Sequence, residues 1–176
     1  TTLTGGITVS SESRINNETV GNTLTISTSG ITNTGLLRVG VNNTGDVNIT
    51  SVITGAGGII KDGTGAGSLI LNADNGTTYT GITTVSAGLV KVAHNNALGA
   101  TSGNTSITSG ATIQVSGNGL TIPETITING SGIATNQGAI RNPSGINKWT
   151  GRITLGSAST IVSGTLSGTT TDSLLI

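Results

Sequence analysis

The stretch GGIIKDGTGAGSLILNADNGTTYTGITTVSAGLVKV, residues 57–92, decides the fold. Two glycines lead into Ile59 and Ile60, a charged glycine turn follows at Lys61, Asp62 and Gly63, and then come Leu69, Ile70 and Leu71. A polar turn separates these from Ile82 to Val85 and from Val90 to Val92. Short apolar runs bounded by glycine and small polar residues, with no helical spacing, read as strand, turn, strand, turn.

Outward from this unit the same grammar continues. Apolar residues recur with period two at Leu24 and Ile26; Leu37, Val39 and Val41; Val47 and Ile49; Leu69 and Leu71; Val90 and Val92. They recur again at Ala111, Ile113 and Val115, at Leu120 and Ile122, at Ile126 and Ile128, at Ile153 and Leu155, and at Ile161. Successive side chains of a strand point to opposite faces, so Ala111, Ile113 and Val115 share a core face while Thr112 and Gln114 face water. Gly, Ser, Asn and Asp between the runs tolerate turn conformations. Pro123 and Pro143 sit beside apolar runs, where a missing amide donor suits a bulge or strand end.

Composition chooses the architecture. The 176 residues include only 1% aromatics, Tyr79 and Trp149, and 8% charged residues. At 33% hydrophobic content the chain is too apolar for disorder, so it is expected to fold, as all-β. A sandwich core about 10 Å thick usually recruits large aromatics, whereas a coil of short parallel strands has a narrow interior that Ile, Val, Leu, Ala and Thr can fill. We therefore expect a parallel β-solenoid, with an antiparallel β-sandwich as the alternative. At about 20 residues per rung, it would make roughly eight or nine rungs and a rod of about 40 Å. No linker or composition shift divides residues 1–176, so one domain is expected, with the patterned unit at about 57–92.

Net charge is zero and the charges are scattered, which argues against nucleic acid or an anionic membrane surface. Without cysteine there is neither a disulfide nor a thiolate metal site. No apolar run approaches the roughly 18 residues of a membrane span, and the sequence starting at Thr1 shows no signal peptide, so it reads as an excerpt or processed product.

The central unit resembles the autotransporter-associated β-strand repeat, also called the passenger-associated transport repeat. The residues that carry the resemblance are Gly57-Gly58, Ile59-Ile60-Lys61, Gly63-Thr64-Gly65, Leu69-Ile70-Leu71, Tyr79-Thr80-Gly81-Ile82-Thr83, Ala87-Gly88 and Val90-Lys91-Val92. Ala66-Gly67 and Gly76-Thr77 lengthen the family's turns. Similar flanks follow at residues 95–99, 109–113, 139–142 and 148–151, so the likeness spans residues 55–168, while residues 1–54 match in texture. The resemblance implies a right-handed parallel β-helix in the passenger region of a Gram-negative autotransporter, passed through the translocator barrel of the same polypeptide to the cell surface or medium. It marks Gly57, Gly58, Lys61, Gly63, Leu69, Leu71, Tyr79, Thr80, Gly81 and Gly88 as structural positions. No barrel follows Ile176, so the chain would be a passenger fragment.

Candidate chemistry is sparse. His94 is the only histidine and reads as a turn residue between Val92 and Asn95. The acids Glu12, Glu18, Asp46, Asp62, Asp74, Glu124 and Asp172 are far apart, and Asp62 with Asp74, one turn apart, is the best pair for polysaccharide cleavage. As turn residues both would be solvated. The run from Gly63 to Gly67 lacks the Lys-Ser/Thr ending of a phosphate loop and reads as a turn. No cofactor or metal is expected. Asn-x-Ser/Thr sequons at Asn17, Asn43, Asn48, Asn75, Asn104 and Asn129 are expected by chance in so Asn- and Thr-rich a chain. Trp149 reads as a packing residue over a sugar-stacking one.

Thr-x-Thr triplets at residues 23–25, 32–34, 78–80 and 125–127 resemble those of flat ice-binding solenoids, but their irregular spacing does not demand ranks on one face. The expectation is a non-catalytic structural and adhesive segment, with self-association or contact with neighbouring cells or host surfaces. The alternatives are a polysaccharide-active or glycan-binding β-helix and, behind it, an ice-binding one.

Overall fold

The computed structural model describes residues 1–27, 29–134, 137–164 and 172–176. Among them every strand pairing is parallel and no helix occurs. Eight strands form the longest sheet: Thr2–Leu3, Leu24–Ile26, Val47–Ile49, Ser68–Leu71, Gly88–Val92, Ala111–Val115, Ile140–Asn142 and Ile161–Ser163. Seven form a second: Ser13–Asn17, Leu36–Val41, Gly58–Asp62, Thr83–Val85, Thr105–Ile107, Ile126–Gly130 and Ile153–Ser159. A third side carries Ile7–Val9, Ile31–Asn33 and Ile53–Thr54 in the early turns and Thr121–Ile122, Ile146–Trp149 and Ser173–Leu175 in the late ones. The chain visits the three sides in rotation, so it is a parallel β-solenoid of about seven turns.

The turn is longer, and the turns fewer, than the sequence suggested. Thr25 pairs with Asn48 and Asn48 with Ile70, so successive turns take 23 and 22 residues. At Gln114 and Arg141 the step widens to 27. Seven spacings of about 4.8 Å give a rod of about 34 Å. Within the longer step, Ile133 and Gly138 meet the eight-stranded sheet at Thr112, which donates to the carbonyl of Gly138 at 2.8 Å and accepts from the amide of Ile133 at 3.0 Å. Thr112 is therefore buried, which corrects the expectation that it faces water.

Apolar columns fill the narrow interior as expected. Ile26, Ile49, Leu71, Val92 and Val115 stack in register, as do Leu24, Val47, Leu69, Val90, Ile113, Ile140 and Ile161. Each fully buried Ile, Leu or Val contributes about 1.5–3 kcal/mol through removal of apolar area from water. Ile153 and Leu155 occupy equivalent inward positions on the last strand of the seven-stranded sheet, yet Leu155 is exposed because no further described strand stacks on that edge.

Two backbone devices hold the corners. Thr34, Thr50, Thr108 and Thr150 each follow a strand, and in each the amide and the hydroxyl both donate to one carbonyl of the turn before: Val9, Ile26, Val85 and Ile122 respectively. The second device is a file of glycines. A Cβ on Gly35 would stand 2.4 Å from the carbonyl oxygen of Ser11, one on Gly57 2.1 Å from that of Gly35, and one on Gly81 2.0 Å from that of Gly57. Gly103 continues the file, with its Cβ position 2.5 Å from the oxygen of Gly81. Pro123 and Pro143 each follow the last residue of a strand, as expected.

Candidate functional site

Of the residues marked in the sequence, Lys61 departs most from its expected place. It lies inside the strand Gly58–Asp62, not in a turn, and occupies the inward column between Val39 and Val85 with no exposed surface. Its Nζ donates to the carbonyls of Asp62, Gly63 and Ala87 at 2.8, 2.9 and 3.1 Å. A Cβ on Gly88 would stand 2.8 Å from that Nζ, so glycine there leaves room for the ammonium. Burial pushes the Lys61 pKa down to about 8, and the charge of Asp62 raises it only in part.

Tyr79 is buried at the third side, bridging to Gly55, with its hydroxyl donating to the carbonyl of Ile82 at 3.1 Å. Burial pushes its pKa up to about 12. Leu69 and Leu71 lie in the core, Gly58 opens its strand, Gly63 has φ +84 in the following turn, and Thr80 is exposed. Trp149 packs inside, its indole N–H donating to the carbonyl of Glu124 at 2.8 Å, in agreement with the packing role.

Each acid has a structural partner. Asp62 is not a solvated turn residue: it receives Arg14 at 2.9 and 2.5 Å and Arg38 at 3.1 Å, on the outer face of the seven-stranded sheet. Arg38 also reaches Glu12 at 2.6 Å. Asp74 sits beyond the strand Ser68–Leu71 of the other sheet, bonded to Asn96 and the amide of Gly76, and these hydrogen bonds lower its pKa. The two aspartates share no partner and do not form the acid pair considered for polysaccharide cleavage. Glu18 receives Asn42, Asp46 receives the amide of Ser68 and lies 4.0 Å from Lys91, and Asp172 receives the amide of Gly145. Glu124, which no sequence signal singles out, is buried. His94 lies in the bend after Val92, its Nδ1 accepting from the amide of Asn96 at 3.3 Å. Among the described residues no three His, Cys, Asp or Glu side chains converge on a metal position.

What the fold does gather is on its outside. On the early third side Thr8, Thr32 and Thr54 stack in register, and the bridge from Gly55 to Tyr79 sets Thr78 beside Thr54. The same register carried two residues along the strands aligns Ser10, Thr34, Ala56 and Thr80. Hydroxyls of Thr34, Thr54 and Thr78 donate back to the carbonyls of Val9, Ile31 and Ile53, which fixes their rotamers. On the seven-stranded sheet Thr84, Ser106, Thr127 and Thr154 form a second outward column. Neighbours in a column are about 4.8 Å apart and alternate residues along a strand about 6.7 Å. Residues 1–11, 19–37, 47–60 and 75–90 contain no Lys, Arg, Asp or Glu, so the first array is uncharged.

Comparison with known proteins gives no family. No family model matches the chain, no curated protein matches it, and no solved structure matches it. The site is therefore characterised by its own geometry: two in-register hydroxyl columns on the outside of the solenoid. Only Thr32, Thr78 and Thr127 of these columns belong to the Thr-x-Thr triplets of the sequence; Thr8, Thr54, Thr84, Ser106 and Thr154 do not. Their alignment was hidden because turn lengths vary, Thr84, Ser106, Thr127 and Thr154 being separated by 22, 21 and 27 residues.

Proposed function

We propose that the chain is a non-catalytic structural segment of a surface-exposed or secreted passenger of the autotransporter type, a rod whose outer hydroxyl columns make adhesive contacts with neighbouring cells or host surfaces. The observation that carries this reading is the pair of in-register outward columns, combined with seven acids each engaged in a local structural contact. Nearest-neighbour stacking suits a chain that folds turn by turn as it leaves the translocator barrel, and a cysteine-free sequence suits passage through an oxidising compartment. Thr32→Lys and Thr154→Lys place charges on the two columns without touching the core. Each is expected to leave the urea midpoint unchanged and to weaken binding of the purified chain to cells about tenfold, or about 1.4 kcal/mol. Binding unchanged in both variants would reduce the segment to a scaffold and export role.

A second reading, ice binding, is favoured by the Thr8, Thr32, Thr54 and Thr78 array. It is uncharged and carried by β-branched side chains with restricted rotamers, repeated at the regular spacings of a strand ladder. Tyr79 and Trp149 are both buried, so neither offers a ring for sugar stacking. Measurable thermal hysteresis that Thr32→Lys abolishes is the expected result of this reading. No hysteresis and no inhibition of ice recrystallisation by the unaltered chain would dismiss it.

A further inference from the structure

Among the described residues Glu124 is the one acid whose side chain is buried as a whole, and its surroundings favour the protonated form. Glu124 sits in the corner between Thr121–Ile122 and Ile126–Gly130 with 2% of its surface exposed. Its Oε1 accepts from the hydroxyl of Thr105 at 2.8 Å, and its Oε2 has no hydrogen-bond partner among the described residues. The corner cannot easily give way. The backbone carbonyl of Glu124 receives the indole of Trp149, and the Cα of Gly151 presses so closely that a Cβ there would stand 1.9 Å from that oxygen.

The groups around it offer no compensating cation. One turn earlier, Thr105 stacks on Thr83, whose hydroxyl lies 3.5 Å from that of Tyr79. The Tyr79 phenol keeps its proton until about pH 12. Lys61, on the strand beneath Thr83–Val85, spends its donors on three carbonyls. Lys148 and Arg152, which flank Trp149 and Gly151, are exposed, and His94 bonds to the amide of Asn96 in the preceding turn.

We propose that Glu124 is a proton-operated latch on the later turns of the solenoid: protonated it packs inside the corner, and ionised it must leave, loosening the turns that stack on Thr105–Ile107. The inference rests on this corner alone and not on the proposed function. Burial raises the Glu124 pKa from 4.5 to about 7, opposed only by the Thr105 hydrogen bond. A pKa raised in the folded state gives stability that is complete below the unfolded value and is lost as pH rises through the folded one. The window is therefore about pH 4.5 to 7. Lys61 and Asp74, whose pKa values are lowered, act respectively above about pH 8 and on the acid side of the ordinary carboxylate range, outside it.

Urea unfolding of the whole chain between pH 5 and 7.5 tests the latch. The unaltered chain is expected to lose on the order of 50-fold in its folding equilibrium constant across that range, and Glu124→Gln to lose none of this, since His94 and every other group is common to both. Equal pH dependence in the two would overturn the proposal. Should Glu124→Gln fail to fold, amide exchange of the unaltered chain, corrected for intrinsic rates, decides the matter. Faster opening at pH 7.5 confined to residues 105–163 supports the latch, and opening that is unchanged, or equally raised in residues 24–92, rejects it.

Discussion

Gly81→Ala is expected to lower the stability of the chain by at least about 3 kcal/mol, seen as a large drop in the urea midpoint. The new Cβ would meet the carbonyl oxygen of Gly57 at 2.0 Å and the Tyr79 ring at 2.7 Å. Neither neighbour can yield cheaply. The Gly57 carbonyl belongs to backbone that stacks in turn on Gly35, and Tyr79 is fixed by its buried hydroxyl. A control separates this crowding from backbone preference. Gly110 has φ +85 but nothing within 4 Å of its Cβ position, so Gly110→Ala should cost only about 1–2 kcal/mol. Equal losses in the two variants would mean that the glycine file is set by conformation and not by the close approach of successive turns.

Lys61→Ala is expected to cost about 3–5 kcal/mol, because it empties a core position and leaves the carbonyls of Asp62, Gly63 and Ala87 without their shared donor. Lys61→Met, which keeps the volume of the stem, should recover the packing part and still fall short of the unaltered chain. The three acceptors match the three protons of an ammonium, which offsets part of the desolvation cost of burying it. The remaining cost has a pH signature. With its folded pKa lowered to about 8, Lys61 penalises the fold below that value, and the unaltered chain gains stability as pH rises from about 8 towards 10.5. Lys61→Met should lack this rise. If it is as stable as the unaltered chain at pH 7, the buried ammonium contributes nothing net.

These two positions show how far the sequence can be followed. Gly81 and Lys61 both belong to the patterned unit and both stood out, but for incomplete reasons. Lys61 beside Asp62 and Gly63 has the composition of a solvated turn. Only the register that stacks it between Val39 and Val85 reveals a buried cation, because the carbonyls that satisfy it lie partly on a strand entry 26 residues later. The glycine file at residues 35, 57, 81 and 103 was present as a spacing of 22 to 24, a signal that could have given the turn length in place of the shorter estimate. Glu124 carries no local signature at all, since nothing in Pro123-Glu124-Thr125 distinguishes a buried carboxyl from an exposed one.

The sequence by itself determined the class of structure: period-two apolar runs, glycine and asparagine turns, and the near absence of aromatics leave a narrow all-β coil as the economical way to bury Ile, Val and Leu. Those are local properties, fixed by which face of a strand each side chain takes. Tertiary structure alone decided which residues meet from one turn to the next. Turns of 21 to 27 residues set the stacking partner of each position, so the alignment of Thr8 with Thr32 and Thr54, the parting of Asp62 from Asp74, and the burial of Lys61 and Glu124 all follow from register between turns, a quantity that no single stretch of the chain contains.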